Sequence, residues 1–344
     1  MKIIVAPDSF KGCLLAAEVA HAVASAIRSV HPDWDVQEVP LSDGGEGTID
    51  TLVPAFGGDF RQAAVQDPLG RQIEARFGIC ADVAVLEVAE ACGLQRLALQ
   101  ERNPLTASSY GVGELLLAAY KLGARHFLVG LGGTATCDGG AGMLQVPGLR
   151  QTLRDCTMEL LCDVDNPFVG PRGAARVFAP QKGASPADVE VLEGRLEALA
   201  KRFLAETGVD VRLLPGAGAA GGLGGAFMAY FQASRVSGID KVLELLRFDE
   251  SVKGADLIIT GEGKSDNQTL SGKVPLGVLR HAHGIPVALL SGRIEDWKAL
   301  QAAGFSHLIS VSPEGLPLTE AMRPEVAREN LRKETQDFLG RLFC

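Results

Sequence analysis

Two Asp-Gly-Gly runs set an acid beside bare backbone: Asp43-Gly44-Gly45-Glu46-Gly47 and Asp138-Gly139-Gly140-Ala141-Gly142. The first follows the apolar run 36–41 and the second the run 127–133. At a strand end such a loop can offer a carboxylate to a metal and free N–H groups to a phosphate. Three further loops share the setting. In Ala6-Pro7-Asp8-Ser9-Phe10-Lys11-Gly12, Lys11 could hold a transferring phosphoryl or a substrate carboxylate, and Asp8 a metal or a proton. Asp163-Val164-Asp165-Asn166-Pro167 carries acids two apart, suited to Mg2+ or to divided acid and base duty. Thr260-Gly261-Glu262-Gly263-Lys264-Ser265-Asp266 carries acids four apart around a lysine, with Gln268 and Lys273 beyond. Thr134 and Thr136 add hydroxyls, and Arg102 and Lys182 add cations.

Each feature also has a plain reading. Asp8 can cap a turn, Asp163 can start an Asx turn before Pro167, the glycines can serve tight turns, and Arg102 or Lys182 can sit in water. Repetition favours a ligand site: the acid comes first in both glycine runs, and both runs follow a strand pattern.

The elements that must position these loops alternate. Strand patterns lie at 3–6, 36–40, 84–88, 127–130, 160–163, 257–260, 287–290 and 307–311, with helix patterns at 16–30, 112–122 and 275–283. That alternation predicts an α/β fold with parallel sheet and crossover helices. The clearest helix starts at Pro186 and runs to about Thr207. Ser185 is its N-cap, Asp188 stands at N3, Val189, Leu192, Leu196, Leu199 and Phe203 line one face, and Gly208 ends it. At 344 residues two domains are expected.

The totals exclude several classes. A net charge of −9 argues against nucleic acid or an anionic membrane as the main partner. Seven cysteines, Cys13, Cys80, Cys92, Cys137, Cys156, Cys162 and Cys344, show no C-x-x-C spacing. Free thiols in a reducing cytoplasm suit that pattern. The start has too short an apolar run for a signal peptide. The uncharged stretch 213–234 holds Pro215 and six glycines, which predicts a glycine-rich loop entering a buried helix over 226–231 rather than a membrane span. No Walker A run and no G-x-S-x-G elbow is present. Gly216-x-Gly218-x-x-Gly221 with Asp240 beyond fits a dinucleotide fingerprint, but Pro215 breaks the strand that should precede it.

Taken in order, these loops resemble the type I bacterial glycerate kinases. The likeness runs from Met1 to about Leu339 and also rests on Glu101-Arg102-Asn103-Pro104-Leu105, Gly132-Gly133-Thr134-Ala135-Thr136, Pro180-Gln181-Lys182-Gly183-Ala184 and the glycine run 216–222. It implies ATP- and Mg2+-dependent phosphorylation of D-glycerate, at the 2-hydroxyl. It also implies two unequal α/β domains with the site in their cleft. One is flavodoxin-like and discontinuous (1–60 and 236–344); the other is inserted (61–235). Lys11, Asp43, Asp163 and Glu262 become the expected catalytic set, the last three also as Mg2+ ligands. Gly139, Gly140, Gly218, Gly221, Gly222 and Lys273 are expected at the nucleotide. Asp8, Ser9, Gly44, Gly45, Arg102, Thr134, Thr136, Asp138, Lys182 and Asp266 are expected at the substrate.

The chain departs from that pattern in three places. Only residues 144–154 connect the second Asp-Gly-Gly run to the next strand, where the family carries some dozens more. Cys137 replaces a usual Asn, and Arg293 a usual small polar residue. Two other readings stay open: an NAD-dependent hydroxy-acid oxidoreductase using Gly216–Gly221, and a non-catalytic sugar-acid sensor.

Overall fold

A computed structural model describes residues 1–342. Its strands, in chain order, are β1 (Lys2–Val5), β2 (Asp35–Glu38), β3 (Asp59–Gln66), β4 (Gln72–Cys80), β5 (Val83–Glu87), β6 (His126–Gly130), β7 (Thr157–Leu161), β8 (Ser234–Val236), β9 (Leu257–Thr260), β10 (Lys264–Ser265), β11 (Val287–Ser291), β12 (Arg293–Ile294) and β13 (His307–Ser310). The chain folds as two compact units, Met1–Asp43 with everything from Ile239 onward, and Gly44–Gly238. The breaks between these units fall at 43/44 and 238/239. The physical reason for the first is the helix Thr48–Ala55, which packs on β4 and β5 and so belongs with the inserted unit.

The first unit carries a five-stranded sheet in the order β13-β11-β9-β1-β2, every neighbour parallel. Counting only these five strands, the order is 2-1-3-4-5, the flavodoxin order, with its switch point between β1 and β9. Ile3, Ile4 and Val5 are fully buried, as are Ile258, Ala288 and Leu289, so near-continuous apolar runs mark these strands as central. The short β10 and β12 pair with each other beyond the ends of β9 and β11.

The second unit carries a six-stranded mixed sheet, β3-β4-β5-β6-β7-β8. β5 to β8 are parallel, and β3 and β4 add an antiparallel ribbon. The sequence patterns did not show β3, β4 or β8. The first five residues of β3 are exposed or half-buried, so it lacks the apolar face that would reveal it.

The helix Pro186–Thr207 keeps its expected ends. Ser185 Oγ accepts from the Asp188 N–H, Asp188 Oδ2 accepts from the Ser185 N–H at 2.9 Å, and Gly208 closes the helix at φ 77°. The uncharged stretch holds a buried helix, Leu223–Phe231, and among the described residues no helix is long and apolar enough to cross a membrane. Six cysteines are free thiols; Cys344 lies outside the described residues. Burial raises the Cys92 thiol to about 12 and Cys137 and Cys162 to about 11, so these sulfurs stay protonated packing groups.

Candidate functional site

The loops after β1, β2 and β9 are hydrogen-bonded side by side. Asp8 N donates to Gly261 O at 2.8 Å, Leu41 N to Pro7 O at 2.9 Å, and Thr260 Oγ1 to Ala6 O at 2.7 Å. Gly261 is required by the neighbouring strand β11, since a Cβ there would meet Leu290 O at 1.7 Å. The result is one cluster at the switch point of the sheet, made of Asp8, Lys11, Asp43 and Glu262.

Asp8 is buried, and its Oδ1 accepts from the Ser9 N–H at 2.6 Å. Burial first, then the neighbouring Asp43, raises its carboxyl from 3.8 to about 8. Lys11 Nζ lies 3.3 Å from Asp43 Oδ2, with half of the lysine side chain open to solvent. Burial pulls its pKa down, but Asp43 and Asp8 outweigh that and hold the ammonium above the ordinary lysine value. A cation is thus fixed among carboxylates while one side stays accessible.

Glu262 is more enclosed than expected of a metal ligand. Its Oε1 accepts from Ser265 Oγ at 3.0 Å and Thr269 Oγ1 at 2.6 Å, and its Oε2 accepts from Lys273 Nζ at 3.0 Å. These bonds use the carboxylate to place Lys273, which lines the adjoining cavity. Asp266 has turned into a loop staple: Oδ1 accepts from the Gln268 N–H at 2.8 Å, and Lys264 lies 3.3 Å from Oδ2. Burial opposes ionisation of Asp266, but that amide and Lys264 prevail and lower its pKa.

A cavity of about 1100 Å³ opens from this cluster inside the first unit. Asp8, Ser9, Lys11, Glu262, Lys273, Arg293 and Trp297 are among its lining residues. Ser9 Oγ is buried there with no hydrogen-bond partner.

The second unit brings together a different set. Lys182 is only 3% exposed, and its Nζ donates to Thr134 Oγ1 at 2.9 Å and Thr136 O at 2.7 Å. Burial lowers its pKa. It pins the 132–136 loop from inside rather than presenting a charge to solvent. Gly183, at φ 99°, lets the backbone pass Arg102 O, which a Cβ would approach to 2.8 Å. Arg102 Nε is buried without a partner. Asp163, at the end of β7, accepts from Gly238 N at 3.0 Å through Oδ1. It belongs to this unit, whereas Asp43 and Glu262 belong to the other, so the three expected Mg2+ ligands form no single cluster within either unit. Among the described residues no group of three His, Cys, Asp or Glu side chains could hold a metal ion alone.

Several of the expected site residues are engaged within the chain. Gly139, Gly140, Gly218, Gly221 and Gly222 are buried, and four of their amides are spent within the chain. Gly139 N donates to Gly221 O, Gly218 N to Asn166 O, Gly222 N to Gly218 O, and Gly140 N to Asp138 Oδ1. A Cβ on Gly221 would stand 2.0 Å from Thr136 O, and one on Gly222 2.8 Å from Gly139 Cα. These glycines let two loops touch. The dinucleotide fingerprint falls with them. Asp138 likewise serves the chain: it accepts from Ser109 N, Ser109 Oγ, Gly140 N and Gly142 N at 2.8–3.1 Å. Gly44 is also closely packed: a Cβ on it would meet Leu161 Cβ at 2.6 Å and Gly238 Cα at 2.9 Å.

One residue escaped the sequence reading. Glu87, at the end of β5 and 6% exposed, accepts from the Ile49 N–H at 2.9 Å, in the first turn of the helix Thr48–Ala55. It therefore anchors the helix that follows the first Asp-Gly-Gly run. Burial raises its carboxyl from 4.5 to about 7. The folded state binds this proton more tightly than the unfolded chain, so Glu87 costs stability as pH rises from about 4.5 through about 7. Glu87→Gln keeps the acceptor and removes the charge. It should raise stability at pH 8 by on the order of 2 kcal/mol and change little at pH 4, in denaturant titrations at both values.

Known proteins of similar sequence and structure share one family. The model of the Glycerate kinase family matches residues 3–152 and 145–342. A glycerate kinase of Bacillus subtilis is 41% identical over 370 aligned positions, covering 98% of this chain and 96% of the relative. That span exceeds the length of the chain, so the relative carries residues without a counterpart here. A glycerate 2-kinase of Escherichia coli is 40% identical over 94% of this chain and 93% of its own. A crystal structure assigned as glycerate kinase 2 of Salmonella typhimurium superimposes with a TM-score of 0.85 at 37% identity, covering 99% of this chain and 98% of the other. The chain belongs to the glycerate kinase family.

Proposed function

We propose that the protein transfers the γ-phosphoryl group of ATP to the 2-hydroxyl of D-glycerate with the help of Mg2+. The observation that carries this reading is the Asp8–Lys11–Asp43 cluster at the flavodoxin-type switch point, beside a cavity that leaves Lys11 accessible. Phosphoryl transfer asks a protein for positioning and charge neutralisation rather than covalent help, and that is what this set of groups offers.

Asp8 and Asp43 fit a magnesium ion. They are hard oxygen donors, and Asp43 adds to the cost of ionising the buried Asp8, which a divalent cation would offset. Mg2+ is ordinarily held by one or two carboxylates plus phosphate oxygens, so a third acid is not required. When bound, the ion neutralises charge on the β- and γ-phosphates. Lys11 neutralises the transferring phosphoryl group, and Lys273, held by Glu262, stands at the cavity wall for the remaining phosphate charge. The glycerate oxygen forms its bond to phosphorus as the bond to the ADP oxygen breaks, and the hydroxyl proton leaves to a carboxylate of the cluster.

Arg102 is assigned to the glycerate carboxylate. Its buried Nε lacks a partner, and an orphaned buried donor costs about 1–3 kcal/mol unless a ligand supplies the acceptor. A guanidinium fork matches a carboxylate geometrically. Arg102→Met should raise the KM for glycerate roughly 10–100-fold, as loss of a charge-assisted bond would. The KM for ATP should not move; steady-state kinetics varying each substrate in turn checks this.

The reaction itself is tested by ADP release with ATP, Mg2+ and D-glycerate supplied singly and together. ADP should appear only in the complete mixture. ADP formation indifferent to glycerate would make the protein an ATPase and end the reading.

A further inference from the structure

We infer that the nucleoside end of the nucleotide lies in the apolar part of the first unit's cavity, against Trp297, Ile294 and Leu318, with its polyphosphate directed at Ser9 and Lys11; this rests on the kinase reading above.

Three observations carry it. First, Trp297, Leu318 and Met322 are 46%, 72% and 39% exposed, and all three line the same cavity. Large apolar side chains gathered at one opening mark a binding surface rather than chance exposure. Second, Ser9 Oγ is buried with no hydrogen-bond partner and lines that cavity, so a donor or acceptor from a ligand is missing there. Third, four cations, Lys11, Lys264, Lys273 and Arg293, line the same cavity.

The shape selects the ligand. About 1100 Å³ is at the upper end of the range for drug-sized ligands and far more than a three-carbon acid fills. Glycerate has no flat apolar face to offer an indole. A nucleotide has both parts: a planar base for the apolar side chains and a polyanion for the lysines. Doubly wound sheets bind such ligands outside the carboxyl ends of their strands at the switch point, where the residues of the β1 and β9 loops stand.

Trp297 makes the test direct, because the chain has only two tryptophans. The other, Trp34, stacks on His31 with ring centroids 3.8 Å apart and does not line the cavity. In the Trp34→Phe protein, all indole emission comes from Trp297. Titration with ADP and Mg2+, which bind without turnover, should change that emission saturably, and D-glycerate alone should not. Calorimetry in parallel separates the possible failures. ADP binding without a change in emission would overturn the placement and leave the kinase reading standing. No ADP binding at all would overturn both. A Trp297→Leu variant gives an independent reading, since aromatic–base stacking is worth about 1–3 kcal/mol. The KM for ATP should rise about ten-fold with the KM for glycerate unchanged; a rise in the glycerate KM alone would overturn the placement.

Discussion

Lys11→Ala should lower kcat by about 10²–10³, the range seen when one preorganised electrostatic group is removed from a reaction centre. The cause is local. Lys11 is the cation that lies 3.3 Å from Asp43, beside the buried Asp8, and half of its side chain remains open. Removing it withdraws positive charge where a phosphoryl group gathers negative charge. The fold should survive, because the side chain is half exposed and exposed ion pairs contribute about 1 kcal/mol or less to stability. Lys11→Arg keeps the charge and should recover part of the rate. Thermal melts alongside steady-state kinetics separate lost catalysis from lost folding. A Lys11→Ala protein with unaltered kcat/KM would remove the lysine from the reaction.

Gly221→Ala should act in the opposite way, through folding rather than affinity for nucleotide. Gly221 sits at φ 68°, and an added Cβ would fall 2.0 Å from Thr136 O and 2.8 Å from Cys137 Cα. Both neighbours are backbone, so no side chain can swing aside. Strain of the left-handed conformation and overpacking each cost about 1–3 kcal/mol, so the substitution should destabilise the protein by about 3 kcal/mol or more. Gly194 provides the control. It lies within the helix Pro186–Thr207 with nothing within 4 Å of its Cβ position, so Gly194→Ala should be neutral or stabilise by about 0.5–1 kcal/mol. Chemical denaturation of both variants checks the pair. If Gly221→Ala were as stable as the parent but bound nucleotide weakly, the phosphate-cradle reading of these glycines would return.

Strands β1, β9 and β11 were legible because they are almost wholly apolar, and the helix Pro186–Thr207 because its cap, stripe and stop agree. The loops that hold Asp8, Lys11 and Glu262 were legible because each follows such a strand, and Asp43 because it opens an Asp-Gly-Gly run. What those loops do with their atoms was not. Asp138 accepts from Ser109, 29 residues away, and Glu87 from Ile49, 38 residues away, so neither role leaves a local pattern. The glycine runs at 139–142 and 216–225 are ambiguous in sequence for a related reason. A glycine needed for close loop packing and a glycine needed for an approaching phosphate are the same letter, and only the distance to Thr136 O or Gly139 Cα separates them. The cavity was invisible too, since Trp297 and Leu318 meet Lys11 only after β1, β9, β11 and β13 are laid side by side.

The most direct measurement is ³¹P NMR of the product formed from ATP, Mg2+ and D-glycerate. The account predicts a 2-phosphoglycerate resonance growing in step with ADP. A 3-phosphoglycerate resonance, or ATP left intact by folded protein, would contradict it.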